Sequence, residues 1–336
     1  MTERTVYVGV RSLQSHDSSV AALEADTGSL VWRYALPDTS PSFPAASATG
    51  VYFSAANGSV YALRPADGSL LWQRTLSTQF PSPPVGSNDV LYVTTSDAVW
   101  ALQATDGSLL WQQPLPNLSP IRPVVAGEQV YARSLSEGSI SALRARDGAL
   151  LWRTPSQGER LISLVAAPDV VYLVGFDRGL SALRADDGSL LWQQTGRYTN
   201  LRNPLLHQEV LYLSVPEGVL ARRASDGSLL WRVGVRDLHG TRSLAATNSL
   251  LIVCDVRERD CEVSAVRTAD GTAVWHWRTL LQEGGVTDPV VTRDAVYIGI
   301  GATHGLFALQ ASTGSILWHV FDDFGVTSAA VGERRR

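Results

Sequence analysis

Val60-Tyr-Ala-Leu-Arg-Pro-Ala-Asp-Gly-Ser-Leu-Leu-Trp72 is the stretch that decides the fold, because the chain repeats it with small changes from end to end. The closing tryptophans are Trp32, Trp72, Trp111, Trp152, Trp192, Trp231, Trp275 and Trp318, spaced 40, 39, 41, 40, 39, 44 and 43 residues apart. Four residues ahead of each stands a glycine, from Gly28 and Gly68 to Gly314. Ten residues ahead stands an alanine, from Ala22 and Ala62 to Ala308. A period of about 40 residues marks a repeat architecture, in which one supersecondary unit buries its faces only against its neighbours.

Outward from that stretch, each unit reads as four strands. A Pro/Ser-rich approach leads into a short apolar run such as Val85 or Val290-Val291, which suits a buried inner strand. Runs such as Val51-Tyr-Phe, Val90-Leu-Tyr-Val, Val170-Val-Tyr-Leu and Ala295-Val-Tyr-Ile form the second strand. Tyr-Ala-Leu or Ser-Ala-Leu makes the third. Asp-Gly or Thr-Gly predicts a tight hairpin, its glycine free to take positive φ, and Ser-Leu-Leu-Trp is the fourth and outermost strand. Such a sheet is apolar on both faces, so copies stack face to face, and radial stacking protects most edges. A tryptophan on each outer strand, opposite a small alanine, is expected to wedge the blades at their wide rim.

The chain ends predict closure. Val326-Thr-Ser-Ala-Ala-Val-Gly-Glu aligns with the inner-strand start Val286-Thr-Asp-Pro-Val-Val, and Thr5-Val-Tyr-Val-Gly-Val10 supplies the second strand that would follow it. The expectation is an all-β, eight-bladed β-propeller with four antiparallel strands per blade. One blade is shared by the N- and C-termini, and residues 1–336 form a single propeller domain with no additional one.

The pattern Ala-x-x-x-x-[Thr/Asp]-Gly-x-x-x-Trp resembles the tryptophan-docking motif of PQQ-like (quinoprotein-type) propeller repeats, and the resemblance covers residues 5–331. The chain departs from it eight residues before each tryptophan. There the family often has aspartate, and here stand Glu24, Arg64, Gln103, Arg144, Arg184, Arg223, Arg267 and Gln310, at a position expected to face solvent. The family includes quinone-dependent dehydrogenases, the scaffold propeller of an outer-membrane assembly factor and many interaction modules, so the resemblance implies the fold and leaves function to the site. The dehydrogenases are longer and use an adjacent cysteine pair plus a calcium site beside the quinone. Here Cys254 and Cys261 are seven positions apart, and the expectation is that no PQQ or other cofactor is used.

Bulk properties exclude several classes. A net charge of −4 over 336 residues lacks the basic face of a nucleic-acid binder, and all 28 basic residues are arginine. No apolar run reaches membrane-spanning length, and Met1-Thr-Glu-Arg-Thr-Val lacks the order of a signal peptide. Two cysteines fit a reducing compartment, so a cytoplasmic monomer is expected.

Candidate chemistry lies in the segments that do not repeat. Ahead of the inner strands stand Phe43, Arg122, Arg160, Arg202, Asn203, Arg242 and Asp288. By repeat register Phe43, Arg122, Asn203 and Asp288 are equivalent and should ring the axial opening, with Arg202 and Arg242 one step earlier. Such a funnel suits an anionic ligand or an acidic peptide. The plainer reading is that these arginines pair with carboxylates such as Asp288 and Glu159 and fill the mouth. The second-to-third-strand loops add His16-Asp17, Asp177-Arg178, Glu217 and Thr303-His304. There is no nucleophile motif, P-loop or His-Glu-x-x-His, and the six histidines lack ligand spacing. His276 and His319, each following a docking tryptophan, read as outer-strand surface residues.

The seventh repeat is the most irregular. Cys254 and Cys261 flank Asp255-Val-Arg-Glu-Arg-Asp260 symmetrically and are expected to face each other across a hairpin, as two reduced thiols or, under oxidation, a disulfide. Trp277 and the long Leu280–Gly285 loop make this repeat a place to look for a partner, and Trp100 is the other additional indole. The expected function is a non-catalytic scaffold that presents loops to a protein or peptide partner. The alternative is an enzyme or small-molecule binder using the funnel around Phe43, Arg122, Arg202, Asn203, Arg242, Asp288 and His304.

Overall fold

A computed structural model describes residues 2–12, 18–76, 80–119, 121–134, 138–154, 161–175, 179–196, 204–234, 241–257, 260–280, 286–300, 305–320 and 324–335. Among these residues there is no helix; the chain forms eight four-stranded antiparallel sheets. Blade 1 joins both ends of the chain: Phe324–Arg335 is its inner strand, followed outward by Thr2–Ser12, Ser18–Glu24 and Leu30–Leu36. Blade 2 runs outward as Ala45–Ala46, Val51–Ser54, Ser59–Leu63 and Leu70–Thr75. Blades 3 to 8 repeat that order over residues 85–114, 124–153, 161–194, 205–234, 241–280 and 290–320. Each inner strand touches the next, and the last, Phe324–Arg335, touches Ala45–Ala46, which closes the ring. The shared blade is held in register by Val6↔Val331, Tyr7↔Ala330 and Val8↔Ala329.

The tryptophans are the reason the blades adhere. Each sits directly across from its alanine, as in Ala62↔Trp72 and Ala142↔Trp152, where a methyl group leaves room for an indole. Its Nε1–H then donates to a backbone carbonyl of the following blade: Trp32 to Pro65 at 2.9 Å, Trp72 to Ala104 at 2.9 Å, Trp111 to Ala145 at 2.8 Å and Trp275 to Ala311 at 2.8 Å. Trp152, Trp192 and Trp231 do the same to Ala185, Ala224 and Thr268. Trp318 bonds Ala25 at 2.9 Å, so the seam between last and first blades is built like the others. A tyrosine from the second strand tilts against the indole in seven blades, from Tyr7–Trp32 at 5.8 Å to Tyr297–Trp318 at 5.9 Å. Ile252 stands at that position in blade 7. Burying one indole contributes roughly 4–6 kcal/mol gross.

The hairpin before each tryptophan is wider than a two-residue turn. In blade 2 the Gly68 N–H donates to the Arg64 carbonyl at 2.9 Å and the Arg64 N–H to the Ser69 carbonyl at 2.8 Å, and the ladder slips by a bulge between Ala62 and Leu63. The glycine takes φ of 72° there, as the sequence suggests, but it also serves a second purpose. A Cβ on Gly68 would meet the Trp32 ring of the preceding blade at 2.6 Å. Glycine is therefore required both by the backbone and by the indole resting on it. The residues eight before each tryptophan are half-exposed or exposed, consistent with the side-chain freedom seen there.

Candidate functional site

The pairs Ala45↔Tyr52, Val85↔Tyr92, Val124↔Tyr131, Val165↔Tyr172, Leu205↔Tyr212, Ala245↔Ile252, Val290↔Tyr297 and Ala330↔Tyr7 fix one register for all eight inner strands. Two residues before each stand Phe43, Pro83, Arg122, Ser163, Asn203, Ser243, Asp288 and Ser328. The equivalence of Phe43, Arg122, Asn203 and Asp288 follows from this register, and Pro83, Ser163, Ser243 and Ser328, which sequence reading passed over, complete the set. One hydrogen bond joins neighbouring members of this set around the ring. Ser243 of blade 7 donates its hydroxyl to Asp288 of blade 8, its neighbour around the ring. Arg122 of blade 4 feels the field of Asp288, four blades away across the opening. Packing of protein around the mouth lowers the Arg122 guanidinium pKa, and the Asp288 carboxylate pulls it back up. The side chain is nonetheless open to solvent.

The segments that lead into blades 2 and 3 are pinned by hydroxyl groups. The Ser42 N–H donates to the Ser54 carbonyl at 2.7 Å, and the Ser54 N–H donates to the Ser42 hydroxyl at 3.0 Å. Ser82 and Thr94 repeat this exchange at 2.8 and 2.9 Å. The second strands then reach sideways to the following blade, Ser54 Oγ to the Ser82 carbonyl at 2.6 Å and Thr94 Oγ1 to the Ile121 carbonyl at 2.8 Å. Blade 4 differs. Ser119 occupies the place of Ser42 and Ser82, its N–H donating to the Arg133 carbonyl at 2.9 Å. Between that serine and the proline before the strand, one residue (Phe43 or Pro83) stands in blades 2 and 3, whereas blade 4 has Pro120, Ile121 and Arg122. The two additional residues push Ile121 and Arg122 outward, and both are exposed.

The remaining candidates divide. Phe43 is exposed. Arg202, Asn203, His304, Arg160, Glu159, His16, Asp17, Asp177, Arg178 and Thr303 lie outside the described residues. Arg242 lies on the inner strand Thr241–Ala246, opposite Asp255, with its side chain outside the described set. Glu217 is an exposed loop residue. Among the described residues no group of three His, Cys, Asp or Glu could hold a metal ion.

The seam of blades 7 and 8 corrects two expectations. Cys254 pairs with Val263, and Cys261 with Val256, so the cysteines are diagonal neighbours on one sheet face and not directly opposite. The turn is centred one position later than the sequence symmetry suggests. Both thiols are free and buried, their sulfurs 3.9 Å apart in the seam with blade 8. His319 is not a plain surface residue, because its ring stacks on Phe307 at 3.7 Å, and Phe307 packs against Trp277 at 5.0 Å. His276 is exposed. Trp277 is half-buried in this seam, and the loop beyond Leu280 lies outside the described residues.

Fold and site together define a tryptophan-docked, eight-bladed propeller of the PQQ-like repeat type. The chain belongs to the family described as outer membrane protein assembly factor BamB, whose model matches residues 16–134 and 97–320. No curated protein matches the sequence. Among solved structures, BamB from Moraxella catarrhalis is 20% identical with a TM-score of 0.66, over 85% of this chain and 89% of that one. Quinohemoprotein alcohol dehydrogenase from Comamonas testosteroni is 13% identical with a TM-score of 0.64, over 85% and 68%. The C-terminal WD40 domain of Sif2 is 10% identical with a TM-score of 0.67, over 87% and 88%. At these identities the likeness shows the fold alone.

Proposed function

We propose that the chain is a non-catalytic scaffold, a rigid ring that presents one face to a protein or peptide partner. The observation that carries this reading is how the residues are divided. Every strictly repeated position (Ala, Gly, Trp) is used to join blade to blade, while departures from the repeat gather in the segments that lead into the inner strands and in the loops between second and third strands. The matched family is described as an assembly factor, and a WD40 domain is among the structural neighbours, which supports a role in protein association. Quinone chemistry is left aside on the position of the cysteines, which lie in the seam of blades 7 and 8 and are not adjacent in sequence.

Chemical cross-linking of the protein in native lysate, with mass spectrometric mapping, tests the scaffold reading. Cross-links from a stoichiometric protein partner to the face carrying Phe43 and Arg122 are expected. A second reading, a small anionic ligand at the axis, is favoured by the Arg122–Asp288 arrangement alone. Recovery of the chain free of partners, together with a metabolite that raises its melting temperature in wild type but not in Arg122→Ala or Arg242→Ala, would replace the first reading by the second.

A further inference from the structure

We propose that the face of blades 2, 3 and 4 carrying the lead-in segments is a peptide-docking surface, on which Arg122 takes a carboxylate of the partner and Phe43, Phe80 and Ile121 take the apolar side chains beside it. This rests on the scaffold reading and names the residues and partner chemistry that would carry it. The exposed large apolar side chains of the described residues fall into two groups. All but three lie on outer strands, from Leu30 and Leu70 to Ile316 and Leu317, as a repeating feature of the rim. The three exceptions are Phe43 at 38%, Phe80 at 65% and Ile121 at 46% exposure, in the lead-in segments of three consecutive blades. Inner strands of blades 2 and 3, and of 3 and 4, are in contact, so the segments that lead into them end side by side.

The surface is held ready. Ser54 ties blade 2 to the Ser82 carbonyl, and Thr94 ties blade 3 to the Ile121 carbonyl. Prolines at 41, 44, 81, 83, 84 and 123 fix φ angles along these segments. A partner docking here orders little that is not already ordered, which favours affinity for a given contact area. Charge selects the partner. Arg122 projects from the bulge of blade 4 beside Ile121 and makes no ion pair among the described residues. Asp288 lies across the opening and already accepts the Ser243 hydroxyl. A guanidinium partly stripped of water at a protein mouth gains from an arriving carboxylate, with planar geometry suited to bidentate bonding. The fitting occupant is therefore an extended segment with Asp or Glu, or a free C-terminus, next to aromatic or aliphatic residues.

Panning a phage-displayed random peptide library on the full-length protein tests this. Hydrogen-exchange footprinting and affinity titration follow for the enriched peptides, against wild type, Arg122→Ala and the double variant Phe80→Ser/Ile121→Ser. All substituted residues are exposed, and an unchanged melting temperature establishes that each variant folds. Enriched peptides should pair an acidic with an apolar residue, protect residues 80–84 and 121–124, and lose about tenfold or more in affinity in each variant. Enriched peptides without acidic residues, or with affinity unchanged by Arg122→Ala, overturn the proposal. A footprint on another face overturns it while leaving the scaffold reading intact, and failure of any peptide to enrich counts against both.

Discussion

Trp111 has several roles at once. It fills the space across from Ala101, bonds the Ala145 carbonyl at 2.8 Å and lies over Gly148 of the next blade. Trp111→Ala should therefore cost about 3–5 kcal/mol by denaturant titration, as for other large-to-small core changes. Trp111→Phe should cost less, because the Tyr92 hydroxyl also donates to that carbonyl and keeps it satisfied. A melt unchanged by Trp111→Ala would remove the docking role. The glycines make a sharper contrast. Gly148 has φ of 73°, and a Cβ there would meet the Trp111 ring at 2.6 Å; at Gly86 the nearest atom is 3.6 Å away. Gly148→Ala should destabilise by at least about 1 kcal/mol, and Gly86→Ala by less than about 0.5 kcal/mol. Equal effects would show that the indole does not rest on the turn.

Turn aspartates add a pH dependence at the same scale. The hydroxyl and amide of the serine two residues on hold the carboxyls of Asp67, Asp187 and Asp226 below their ordinary range. Their folded values lie below the unfolded ones, so their stabilisation is complete above about pH 4 and drains away as pH falls through the folded values. Replacing all three by asparagine keeps an acceptor and removes the titration, so stability should fall less steeply with acid than in wild type. An unchanged slope in chemical denaturation from about pH 5 to 2 would contradict this.

At the scale of elements, blade 7 shows what the sequence conveyed and what it could not. A hairpin with two thiols on one face is legible, but its register is not, because residues 258 and 259 have no counterpart in other repeats to set the centre. The Cys254 thiol is pushed up by its contact with Cys261 and by burial, and both groups sit in the seam with blade 8. Iodoacetamide should therefore leave both unmodified in the folded protein at neutral pH and modify both in denaturant; rapid native labelling read by mass spectrometry would show that the seam is open. The lead-in segments follow the same rule. The Gly-x-x-x-Trp turn was readable because every copy performs one task, whereas the bulge of blade 4 becomes visible only through the bond from the Ser119 N–H to the Arg133 carbonyl. Phe80 and Ile121 were visible as apolar residues among serines and prolines, and their exposure was not. Ser243 stood in plain register with Asp288, so its role could have been read.

For the whole molecule, function depends on closure, since a docking face spread over blades 2 to 4 keeps its shape only if the ring holds those blades fixed. Closure depends on the shared blade, where Thr2–Ser12 and Phe324–Arg335 form the longest ladder among the described residues. Chain ends ordinarily fray and exchange fast. Native-state hydrogen exchange of the amides in residues 6–8 and 329–331 is thus the most direct measurement. A ring latched by its termini requires these amides to exchange as slowly as the second strands of blades 2 and 3, through global unfolding; exchange at the rate of an unpaired terminus would contradict the closed eight-bladed ring.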